Sequence, residues 1–183
     1  MRIVADVVAV THECDHPAGA TRLPAVTRNV LDHDGQPSAA IDRHISSARH
    51  QGSSIYAHWV PEMVRRAGGR DPLGREGEPS RYVVWDEVLA AQPEVMVLMP
   101  CGFRLERTVE LAAEITGRPG FDGLPCARSG RVAAVDGSSY FNRPGPRIVD
   151  GLEILAAILR TEPGVALPLG AAWVVPSAAP RGR

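Results

Sequence analysis

The chain lacks a disulfide framework, a nucleotide loop and a membrane span. Its three cysteines, Cys14, Cys101 and Cys126, are an odd number set far apart in 183 residues, so no stapled scaffold can be read from them. Neither a GxGxxG turn nor a Walker-type glycine loop occurs, which removes the usual signatures of dinucleotide and P-loop sites. No apolar run reaches the length of a membrane helix. A net charge of -1 gives no electrostatic case for nucleic acid or an anionic membrane surface. The start, Met1-Arg2-Ile3-Val4-Ala5-Asp6, has one basic residue and an early acid and does not read as a secretory signal, so the expected location as written is cytoplasmic. Aromatic residues are only 5% of the chain, so the places where they gather carry information.

What remains is the composition of an ordinary globular protein, 44% hydrophobic and 22% charged. The length allows one domain, or one domain with an appended piece. Ile3–Val10 reads as a short buried strand that empties into the polar loop Thr11–Pro17. Residues 17–56 are broken by Pro, Gly and Ser and carry little periodicity, apart from a short helix over Ser38–Ala48. From Ala57 onward the pattern sharpens. Helices are expected at Val60–Ala67, Trp85–Ala91, Leu105–Ile115 and Ile148–Leu159, with strands at Glu94–Met99 and Arg131–Val135. Residues 70–80 read as a Gly/Pro-rich loop. Residues 161–183 read as a loose Pro/Ala-rich tail, with Trp173-Val174-Val175 its one sticky segment. Strands alternating with helices over 57–160 predict an α/β layer with parallel, adjacent strands.

Two loops stand out. Cys101, Gly102 and Phe103 follow one apolar run, and Tyr140, Phe141, Asn142 and Arg143 follow another. In an open α/β sheet, loops at the carboxyl ends of strands are where ligands bind. With His58 and Trp59, these residues mix aromatic faces for stacking with amide, guanidinium and imidazole groups for a polar rim. The plainer alternative is that Trp59 and Phe141 pack the core and Arg143 pairs with a surface acid. Ser80 and Arg81 are weaker candidates, because Pro79-Ser80 also serves as turn chemistry.

His12, Cys14 and His16 alternate, a spacing that puts three metal-competent groups on one side of an extended segment. No fourth ligand is near in sequence, so a loop without metal is the reading, and no metal site is expected. His12 or His58 could instead reach a metal held in a bound macrocycle, although ordinary hydrogen bonding is the plainer use. Cys101 lies after a strand and before a helix, loosely where a hydrolase nucleophile sits. That keeps a Cys-dependent hydrolase as the second reading, weakened by the lack of a recognisable acid–His pair. The i, i+4 carboxylates Glu106 and Glu110, with Arg107 between, read as a solvated helix face.

His58-Trp59-Val60-Pro61-Glu62-Met63 with Ala67-Gly68-Gly69, then Val95–Phe103 and Tyr140–Gly151, resemble the second lobe of cobalamin-type (vitamin B12) substrate-binding proteins of ABC transporters. That family is part of the periplasmic-binding-protein-like class that also takes heme and iron-siderophores. Val10–Asp15 with Pro24-Ala25-Val26-Thr27 is similar to a first-lobe segment. The resemblance implies a parallel-sheet lobe with residues 57–160 as the ligand-binding domain and residues 1–56 as a remnant of a first lobe. Measured against that family, the first lobe and the interlobe helix are expected to be largely missing. It further implies a corrinoid or related chelate as a noncovalent ligand, an ABC permease as partner, no catalysis, and a family location that is usually periplasmic or cell-surface. A shortened first lobe would leave apolar surface beside Trp59 and Phe141, from which either a homodimer covering that wall or poor solubility is expected, with the Trp173-Val174-Val175 segment folding back over it as a third route.

Overall fold

The computed structural model describes residues 53–55 (as backbone), 58–143 and 145–174. The expected strand Ile3–Val10, the helix over Ser38–Ala48 and the His12/Cys14/His16 group lie outside the described residues.

Three strands form the main sheet, in the order β3 (Met96–Leu98), β4 (Val132–Val135) and β5 (Ala171–Trp173). β3 and β4 are parallel and adjacent, with Val97 opposite Ala133, as the alternation of elements predicts. The helix α3 (Leu105–Thr116) and the short helix α4 (Pro125–Arg128) lie in the connection between them. β4 is buried at all four positions, which is why its sequence is a continuous apolar run rather than an alternating one. Its side chains divide between two cores. Ala133 and Val135 join Met63, Ala67, Phe141, Ile154, Leu155 and Ile158, whereas Val132 joins Phe121, Leu124 and Cys126. β3 obeys the same period of two, with Val97 packed toward the first core and Met96 and Leu98 toward the second.

The first core is closed by α6 (Ile148–Arg160) and α1 (Val60–Arg66). Gly151, Ile154, Leu155 and Ile158 are the buried positions of α6, spaced i, i+3, i+4 and i+7, and form a single apolar stripe. Pro61 sits in the first turn of α1, where its missing N–H costs nothing, and Gly68 at φ 97° follows the helix end. Burial in the second core pushes the Cys126 thiol up from its ordinary value, so this cysteine is a small hydrophobe there.

The structure departs from the sequence expectation in three places. β5 falls within the stretch read as a loose tail. It pairs antiparallel with β4, Ala171 opposite Val135, and makes the sheet mixed rather than purely parallel. Trp173 accounts for this, since its ring packs against the first core and its indole donates to the Val165 carbonyl at 3.0 Å. β2 (Arg81–Val83) also escaped notice. It pairs antiparallel with β1 (Ser53–Ile55) and is too short for a period of two to show. The turn at Phe121–Gly123 and α4 are likewise shorter than any helical repeat can reveal. The helix α2 (Trp85–Ala91) has the expected bounds and ends at Gln92 in the left-handed region, ahead of Pro93.

Candidate functional site

Parallel pairing sends the chain out of β3 and β4 at the same end of the sheet, and the two exit loops are fastened to each other there. The Ser138 N–H donates to the Phe103 carbonyl at 3.1 Å. Gly137 packs so closely on the other loop that a Cβ would lie 2.6 Å from the Pro100 carbonyl oxygen. Only glycine fits that position. Asp136 holds the second loop's own turn, accepting from the backbone N–H of Ser139 at 2.7 Å and from its hydroxyl at 2.9 Å. This cap starts the short helix α5 (Gly137–Tyr140).

Phe141 then sinks into the first core with no exposed surface. Its backbone is held from three sides. The Phe141 and Asn142 N–H groups both donate to the Gly137 carbonyl, and the Phe141 carbonyl accepts from the Trp59 indole at 3.1 Å. That last bond ties the start of α1 to the loop after β4, across 82 residues of sequence. His58 sits beside it at φ 56°, in a left-handed conformation that histidine tolerates better than most residues. It is fixed by two backbone bonds, its N–H to the Glu78 carbonyl at 2.8 Å and its carbonyl from the Gly77 N–H at 2.9 Å.

These segments enclose a pocket of about 300 Å³ lined by His58, Trp59, Val60, Ser80, Cys101, Phe141 and Asn142. Six of these are residues that the sequence marks as candidates. Val60 is the addition; its apolar side chain at the head of α1 offered no chemical signal. No Asp, Glu, Lys or Arg is among the described residues lining the pocket. His58 is exposed and Cys101 is exposed, which puts the pocket's two metal-competent groups at its rim. Asn142 is the exceptional member. Its Oδ1 and Nδ2 are both shielded from solvent and neither has a hydrogen-bond partner. Burying an amide without partners costs about 1–3 kcal/mol on the scale of protein mutations.

Other candidates are placed elsewhere. Phe103 is buried, and Gly102 supplies the positive φ of its turn at 79°. Tyr140 packs against the first core and its ring lies over Gly170, where a Cβ would approach it at under 3 Å. The Arg143 guanidinium donates to the Ser138 hydroxyl at 3.0 Å and so braces the loop. Arg81 is exposed and pairs with Glu87 at 2.9 Å. His12 lies outside the described residues. The apolar patch expected beside Trp59 and Phe141 does not form on the Phe141 side, because that ring is wholly inside the core. A homodimer that covers such a patch has no support from this side.

No protein-family model matches the chain, and no curated protein matches it. A solved structure does, the periplasmic heme-binding protein BhuT in complex with two hemes. It is 17% identical, with a TM-score of 0.55, and the match covers 84% of this chain and 88% of that one. The likeness establishes a shared fold: this chain has the mixed α/β architecture of a periplasmic-binding-protein-like lobe. Among the described residues no helix is long and apolar enough to cross a membrane.

Proposed function

We propose that this protein binds a flat metal chelate, a corrinoid such as cobalamin or a related heme or iron-siderophore, as a substrate-binding protein that serves an ABC permease. The observation that carries this reading is the meeting of three loops, after β3, after β4 and before α1, in one pocket at the carboxyl ends of parallel strands. The pocket's mixed lining suits such a ligand. Trp59, Val60 and Phe141 give apolar contact for a macrocycle, and His58, Ser80 and Asn142 give polar groups for its edge. A volume of about 300 Å³ takes an edge or a substituent of the ring rather than the whole plane. The fold supports the same class, since the protein that shares it holds hemes. On this reading residues 57–160 are the second-lobe ligand wall, and residues 1–56 carry what remains of the first lobe.

The pocket lining gives the hydrolase alternative little to work with. A cysteine nucleophile needs a base and a group that orients that base, and among the described residues no carboxylate lines the pocket to orient His58. Absorbance titration of the full chain with cyanocobalamin and with hemin tests the binding function. A saturable shift of the bands of either chelate is expected; no shift with either contradicts the proposal.

A further inference from the structure

Resting on that reading, we infer that Asn142 is the specificity-determining residue of the pocket and that it recognises a carboxamide on the ligand's rim. Both ends of the Asn142 amide lack a partner. Oδ1 can accept and Nδ2 can donate, both are buried, and neither is engaged by the protein. A ligand group that satisfies only one end leaves the other orphaned in a dry site. A carboxylate, as on the edge of a porphyrin, accepts from Nδ2 and sets its negative oxygen against Oδ1. An ammonium group fills Oδ1 alone. A primary carboxamide offers one donor and one acceptor side by side, and closes a cyclic pair of hydrogen bonds with an asparagine. Because both ends are vacant, the inference is the same whichever way the amide is turned.

The surroundings favour the same partner. No charged side chain is among the described residues lining the pocket, so none of these compensates a ligand carboxylate. The amide is also held by a stiff frame. Its own backbone N–H is bound to Gly137, and the preceding residue is locked by a buried ring, a backbone bond and the Trp59 indole. His58 and Cys101 stand exposed at the rim of the same pocket. A corrinoid, whose ring is edged with carboxamides, therefore fits this site better than a porphyrin dicarboxylate.

The test uses the full chain, wild type and with Asn142→Leu or Asn142→Asp, titrated with three probes. These are cyanocobalamin, the same corrinoid with its side-chain amides hydrolysed to carboxylates, and hemin. Wild type should prefer cyanocobalamin over the hydrolysed corrinoid by roughly tenfold to a hundredfold, the loss that follows when a buried polar group is left unpaired. Asn142→Leu should erase most of that preference, whereas Asn142→Asp, which has no donor and repels a ligand carboxylate, should weaken cyanocobalamin binding without erasing the preference. Thermal unfolding without ligand gives a second readout, since removing an unsatisfied buried amide should leave the melting temperature of Asn142→Leu unchanged or raised. A preference that survives Asn142→Leu, an unchanged cyanocobalamin affinity in Asn142→Asp, or a marked fall in the melting temperature of Asn142→Leu, overturns the inference. Equal binding of hemin and cyanocobalamin overturns it while leaving the chelate-binding function standing. Binding of none of the three probes overturns that function and the inference with it.

Discussion

The two ends of the β3–β4 sheet treat polar groups in opposite ways. At the amino end Arg131 is engaged through both its side chain and its backbone. Arg131, just before β4, sends its guanidinium to the Leu159 and Ile158 carbonyls at 2.9 and 3.3 Å, where it caps the last turn of α6, and lies 3.6 Å from Glu162. Its backbone is engaged too, the N–H with the Cys126 carbonyl at 2.7 Å and the carbonyl with the Met96 N–H at 3.0 Å. At the carboxyl end Asn142 is buried with both amide atoms vacant, and His58 is held at a positive φ. Satisfied groups mark the end that stabilises the sheet. On the proposed function, the vacant and strained groups belong to the end that takes the ligand.

That contrast can be broken at graded cost. The largest effect belongs to Phe141, the one side chain that anchors the binding loop and fills the first core. Phe141→Ala should lower unfolding free energy by about 3–5 kcal/mol and should also weaken chelate binding, measured by denaturant titration and absorbance. Next comes Arg131→Met, which removes charged hydrogen bonds from the end of α6. It should cost about 1.5–3 kcal/mol in stability and leave chelate affinity unchanged at temperatures where the protein is folded. If Arg131→Met weakens binding as much as Phe141→Ala, the separation of the two ends fails.

Trp59→Phe keeps an aromatic face and removes the indole donor to the Phe141 carbonyl. A loss of about 0.5–1.5 kcal/mol is expected, with weaker binding because the loop loses its tie to α1. The smallest effect lies away from both ends, at the exposed pair Arg81–Glu87. The Arg81 guanidinium, and then the Val84 N–H, hold the Glu87 carboxyl below its ordinary value. A folded value below the unfolded one means the contribution is present at neutral pH and is lost as pH falls through the carboxylate range. Glu87→Gln should flatten the acid limb of the stability profile by a barely measurable amount, since the pair is solvated.

Much of this arrangement is legible in the sequence, and the reasons it is legible differ by element. The stripe at 151, 154, 155 and 158 and the run at 132–135 announce α6 and β4, because burial on one helix face or on both strand faces imposes a residue period. The exit loops announce themselves by aromatic and amide residues where a turn needs none. Ala171–Trp173 was illegible because a three-residue edge strand has no period, and it is fixed by one indole bond and by β4 already being in place. Within the site, sequence could nominate Phe141 and Asn142 together. It could not show that the first is buried as core and the second is left unpaired, since that depends on where the loop is fastened by Trp59 and Gly137.

The three tryptophans allow the central claim to be read in one spectrum. Trp59 lines the pocket and donates to Phe141, whereas Trp85 donates to Pro119 beside the second core and Trp173 donates to Val165. In a proton–nitrogen correlation spectrum of the full chain titrated with diamagnetic cyanocobalamin, the Trp59 indole and the Asn142 side-chain amide signals should shift together and saturate. The indole signals of Trp85 and Trp173 should stay in place. Saturable shifts at Trp85 or Trp173 with Trp59 unmoved, or no shift at any of the three, would contradict a ligand site at the carboxyl ends of β3 and β4.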